Sequence, residues 1–234
     1  MSLTGLLFLV SYLGGCLVSL AWHPIVGLAT YVGVFYLHPP SRWWGADLPG
    51  VRWALVAAVV TLVSVWIHHD KLPKRGGFFG SAPPWLMLMM VVWLAIQLFW
   101  AVLPELQIEL LVLYTKYLVL MFVTYRILQT EREIKLFLWA HVLGCFFLGW
   151  TAYESHSGGR FEDFGGSDIG EANSGALTLA TGAFAVGVLF LVGKWKERIP
   201  LILMSPFILD GIIRTVSRSA SLALASGGLV FNLY

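Results

Sequence analysis

Three arginines are the residues best suited to joint chemistry: Arg160, Arg214 and Arg218. A guanidinium keeps its charge and presents a planar fork of donors matched to phosphate oxygens. Two or three converging on one surface would hold a pyrophosphate. Ser217 and Ser219 flank Arg218 and would add hydroxyls at a helix start, where free N–H groups also favour anions. The plainer readings are headgroup anchors for the arginines and helix caps for the serines. Arg160 lies in the one long polar interval, 153–172, among Glu154, Glu162, Asp163, Asp168 and Glu171. Its glycines leave the backbone free to fold back. Asp163, Asp168 and Glu171 could bridge Mg²⁺ to a diphosphate. A solvated acidic loop is the simpler reading, and no metal or other cofactor is expected. His156, four residues before Arg160, is a candidate base, or else a solvated loop histidine. No two of the six histidines have the i, i+4 spacing of a helical metal site. No Gly-x-Ser-x-Gly, Cys-x-x-Cys or P-loop pattern occurs, so nothing points to a protease or an ATPase.

The elements that must position these residues are membrane helices. Of 234 residues, 58% are hydrophobic and 12% charged, with mean hydropathy +0.79. Soluble domains carry about 25% charged residues. The expected fold is an all-α, polytopic transmembrane bundle forming a single domain over 1–234. A helix needs ~20 apolar residues to span the hydrocarbon. Candidates fall at 4–21, 24–37, 51–69, 84–103, 108–127, 134–152, 173–192, 199–213 and 217–233. That makes about nine, or eight if Trp22-His23-Pro24 merely breaks one crossing. Several of the eleven tryptophans fall near predicted ends, as interfacial belts require. Cys16 and Cys145 sit inside apolar segments and read as small hydrophobes.

Charge sets the orientation. Lys71, Lys74, Arg75, Arg126, Arg132, Lys135, Lys194, Lys196 and Arg198 all fall on alternate links; Arg42, Arg52, Arg160, Arg214 and Arg218 fall on the others. The positive-inside rule then puts Arg160 and Arg218 on one shared, non-cytoplasmic side. The basic residues form no continuous stripe, so nucleic acid is not an expected partner. Lys116 sits mid-segment, where a charge costs ~2.5 kcal/mol or more unless paired or wetted. Glu109, two turns earlier, is one partner it could have; an anionic ligand is another. The small residues after Asn173 (Gly175, Ala176, Ala180, Gly182, Ala183) predict close helix packing.

Several stretches resemble a known family. The run Tyr36-Leu37-His38-Pro39-Pro40-Ser41-Arg42-Trp43-Trp44-Gly45 resembles the Tyr-x-Asn-Pro-His-Arg-x-x-Trp-Gly segment of O-glycosylation ligases associated with exosortase systems. Lys116-Tyr117-Leu118-Val119-Leu120-Met121 and Thr130-Glu131-Arg132-Glu133 look like two further segments of that subgroup. The Arg160–Gly166–Asn173 run and Ser217-Arg218-Ser219-Ala220 are similar to the two arginine motifs of the wider O-antigen ligase and polymerase family. The second motif departs from the commoner Ser-Arg-Gly or Ser-Arg-Ser-Gly, and the loop lacks a doubled asparagine. The resemblance implies a metal-independent glycosyltransferase of the GT-C type in a bacterial inner membrane, working in polysaccharide biosynthesis. Such an enzyme passes a glycan from undecaprenyl diphosphate, on the periplasmic face, to a hydroxyl of an acceptor glycan or protein. The implied diphosphate-binding set here is Arg160, Arg214, Arg218, Asn173 and Lys116. Family members continue past the second motif, so the chain is expected to correspond to the donor-binding N-terminal half. Two other readings remain: a non-catalytic membrane subunit, and a transporter of lipid-linked glycans.

Overall fold

The computed structural model describes residues 2–72, 76–155, 159–166 and 169–233. The described residues form nine α-helices: α1 (Leu3–Ala21), α2 (Pro24–Leu37), α3 (Trp53–Ile67), α4 (Ala82–Gln97), α5 (Pro104–Ile127), α6 (Glu131–Glu154), α7 (Ala172–Val192), α8 (Trp195–Arg214) and α9 (Arg218–Leu233). Four of them, α1, α5, α6 and α7, are long and apolar enough to cross a bilayer; α3 and α4 are shorter but apolar. The fold is all-α and membrane-embedded in character.

Local chemistry explains where the helices start and stop. The Trp22-His23 link separates two helices rather than breaking one. Pro24 opens α2, where its missing N–H is no loss, and His23 Nδ1 accepts from Ile25 N at 3.3 Å. Gly15 then faces Thr30 and Gly27 faces Ser19, the register of an antiparallel hairpin. The segment expected to run to 103 ends at Gln97. Pro104 disfavours helical backbone at Leu103, and Gln107 Nε2 donates to Leu94 O (2.9 Å) and Gln97 Oε1 (3.2 Å) at the end of α4. A reciprocal capping box between Thr130 and Glu133 starts α6 three residues earlier than hydropathy indicated. Within α8, Pro206 cannot donate to Ile202 O, and Ser205 Oγ donates to that carbonyl instead at 3.2 Å.

Buried residues of α2 enter all three apolar clusters, which makes it the shared wall of the bundle. Val34 joins α1 and α3 around Phe8, Tyr12 and Trp53. Ile25 and Leu28 meet α3 and α5 at Val65, Val123 and Ile127. Val32 and Tyr36 join the largest cluster, built from α6, α7 and α8. There Gly149 and Gly211 allow α6 and α8 to touch backbone to backbone: a Cβ on Gly211 would lie 3.2 Å from the Gly149 Cα. Of the small residues expected to pack, Gly175, Ala176, Ala180 and Gly182 are buried and Ala183 is half-buried; Ala185 is buried beside them.

The links gather at two ends. One end holds 38–52, 159–166, 169–171 and the 215–217 turn; Arg42 Nη2 reaches Phe164 O at 3.0 Å, and Phe161 N reaches Arg214 O at 3.0 Å. At the other, His23 Nε2 lies 3.3 Å from Glu133 Oε1, fastening the α1–α2 corner to the start of α6.

Candidate functional site

The polar segment is pinned by apolar pegs. Phe161, Phe164 and Ile169 are buried, with the Phe161 and Phe164 rings edge to face at 4.8 Å. Phe164 is wholly enclosed, and the space for it comes from Gly175 on α7: a Cβ there would fall inside its ring. Gly165 and Gly166 follow at φ +69° and +119°, conformations that need glycine. The segment can therefore turn sharply beside α2 and present its charged residues outward.

Arg42 straps this fold from the neighbouring link. Its Nε donates to Leu37 O at 3.0 Å, its Nη2 donates to Phe164 O, and its guanidinium stacks on Phe147, 4.8 Å from the ring centre. Burial pulls the Arg42 guanidinium below its ordinary pKa, and nearby Asp163 acts the other way. Sequence reading placed Arg42 in a motif and in the charge pattern, and missed this role.

On that frame the structure assembles a polar chain at the rim. Arg160 Nη2 donates to Asn173 Oδ1 at 3.3 Å, in the first turn of α7. The same oxygen accepts from Ser217 Oγ at 3.1 Å. Ser217 and Ser219 hydroxyls lie 3.0 Å apart. Arg218 opens α9 with an exposed side chain, and it meets no hydrogen-bond or ion-pair partner among the described residues. Arg160 is itself half exposed, with Nε 3.2 Å from Glu162 Oε1. Just before this chain, Val216 takes a left-handed φ of 51°. A β-branched residue there is strained by ~1–3 kcal/mol, and the strained turn is what aims Ser217 at Asn173.

The other expected residues are placed differently. Arg214 is close by but committed: Nε pairs with Asp210, the guanidinium lies 5.3 Å from the Tyr153 ring centre, and the carbonyl holds Phe161. Its Nε is thus engaged, while no described acceptor meets its two terminal nitrogens. Lys116 lies on α5, which packs against α4 and α3 and only lightly against α2, away from the Arg160 rim. It is exposed, and neither Glu109 nor any other described residue pairs with it. His156 and Asp168 lie outside the described residues. Among the described residues no group of three His, Cys, Asp or Glu side chains gathers to hold a metal. A cleft of about 300 Å³ at the same end is lined by His38, Arg52, Trp53 and Gly166.

The arrangement can bind an anion. Two guanidiniums, one of them unpaired, stand with hydroxyl donors and the start of a 16-residue helix on one rim. No family model, curated protein or solved structure matches the chain.

Proposed function

We propose that this chain is a membrane-embedded, nine-crossing component of glycan transfer, which grips an undecaprenyl-diphosphate-linked glycan through Arg160 and Arg218. The observation carrying this reading is the chain from Arg160 through Asn173 Oδ1 to Ser217, the residue next to Arg218. Two arginines 58 positions apart in sequence thereby share one rim. The cation distribution favours a non-cytoplasmic rim, which in this reading is the periplasmic side of an inner membrane, where such donors present their diphosphate. The α9 amides, Ser219 and Arg218 would hold one phosphate, and Arg160 the other. Asn173 orients Arg160 by accepting from it. Stabilising the departing lipid diphosphate is the chemistry this set can supply to transfer. In this reading Arg214 is a structural clasp.

The test is binding of undecaprenyl diphosphate to purified protein. Arg160→Ala and Arg218→Ala should each weaken it by ~1.5–3 kcal/mol, as charge-assisted bonds do, roughly 10- to 140-fold. Arg214→Ala should instead lower the melting temperature, because Asp210 is left half-buried without its cation. Unchanged binding in both of the first two variants returns these arginines to headgroup anchoring.

A second reading has its own support. α5 is apolar, yet only 6% of its most hydrophobic window is buried, and it carries the unpaired Lys116. That exposure suits a subunit whose α4–α5 hairpin packs on another membrane protein of the same system.

A further inference from the structure

The end opposite Arg160 carries a second binding feature, independent of the donor reading. A groove of about 590 Å³ runs between α3 and α5, walled by Leu62, Val63, Trp66, Phe78, Phe122 and Tyr125. The 76–80 link is held over it by Tyr125, whose hydroxyl donates to Gly76 O at 2.6 Å. Two basic side chains line the groove, His69 and Arg126. His69 is engaged: Nδ1 is 3.0 Å from Trp66 O and Nε2 is 3.1 Å from Asp70 Oδ1. Arg126, in the last turn of α5, is half-buried, and no described acceptor or carboxylate meets its guanidinium.

We propose that this groove binds an anionic glycerophospholipid, with the phosphate on Arg126 and an acyl chain laid between α3 and α5. The walls decide for a lipid over free phosphate, which would have no use for them. From Leu62 to Trp66 the α3 wall rises roughly 6 Å, enough for the headgroup-proximal part of a chain. Charge decides for an anionic headgroup. The unpaired guanidinium sits at the cation-rich end of the bundle, with exposed Lys71 on the same link, and basic pockets between helices on such faces select anionic lipids. A half-buried arginine with no protein acceptor also needs an outside one to satisfy its donors.

Native mass spectrometry of the delipidated full chain tests this, with phosphatidylglycerol and phosphatidylcholine of identical acyl chains as probes. Wild type should retain phosphatidylglycerol at least 10-fold more strongly, and millimolar inorganic phosphate should not displace it. Arg126→Gln should bring phosphatidylglycerol down to the phosphatidylcholine level. Val63→Trp, which fills the groove without touching charge, should weaken retention of both lipids. Lys196→Gln removes an exposed cation at the same end but outside the groove, and should leave the preference intact. Equal retention of the two lipids by wild type overturns the proposal. So does an unaltered preference in Arg126→Gln, or an equal loss in Lys196→Gln, which would reduce the effect to general surface charge.

Discussion

Arg42 illustrates how a single side chain can fix a segment more than a hundred residues away. Its two donors close the carbonyls of Leu37 and Phe164, which no other described side chain serves. Arg42→Ala should lower stability by about 2 kcal/mol, seen as a lower melting temperature and faster proteolysis within 155–171. Arg42→Lys should recover little of this, because an ammonium cannot serve two carbonyls and stack on Phe147 as a planar fork does. Equal melting of Arg42→Ala and wild type would show that the strap carries no weight. At Val216 the expected sign is opposite. Asn tolerates a left-handed φ far better than a β-branched residue, so Val216→Asn should stabilise by about 1 kcal/mol. A fall in melting temperature there would mean that the left-handed turn is not the resting state. The candidate site was legible at this scale only in part. Arg160, Asn173, Ser217 and Arg218 stood out by type and motif. The Asp210–Arg214 pair could have been read from its i, i+4 spacing. Nothing local to Arg42 announces Phe164, because such a bond exists only once the chain has folded.

Between elements, the decisive contact is Phe164 of the polar segment under Gly175 of α7. The ring and the missing side chain define one another, so either change should be felt. Phe164→Ala leaves a fully enclosed cavity and should cost ~3–5 kcal/mol. Gly175→Val overfills the same space, at ~1–3 kcal/mol, and should also weaken lipid diphosphate binding by loosening Arg160 from Asn173. A Gly175→Val variant that melts and binds like wild type would show the segment is not seated there. The helices themselves were readable: nine apolar runs became nine helices among the described residues, four of them long and apolar enough to cross a bilayer. Their ends were less so, since Pro104, the Thr130–Glu133 box and Gln107 act through hydrogen bonds that an apolar window does not register. The exposed outer face of α5 was also invisible to hydropathy, which cannot tell contact with lipid from contact with protein.

For the molecule as a whole, α2 is the element that holds two sub-bundles in one body. α1 and α3 lie to one side, α6, α7 and α8 to the other. Its partnership with α6 is sealed by a part-buried bond, Tyr36 Oη to His141 Nδ1 at 2.6 Å, across 105 residues of sequence. That span has a consequence for biosynthesis. Ribosomes add ~5–20 residues per second, so the phenol of α2 emerges several seconds or more before its imidazole exists. Throughout that interval the phenol lacks the imidazole it meets in the finished fold. The seam between α2 and α6 is therefore expected to close only after α6 arrives, so that the wall shared by both sub-bundles is completed well after it is translated.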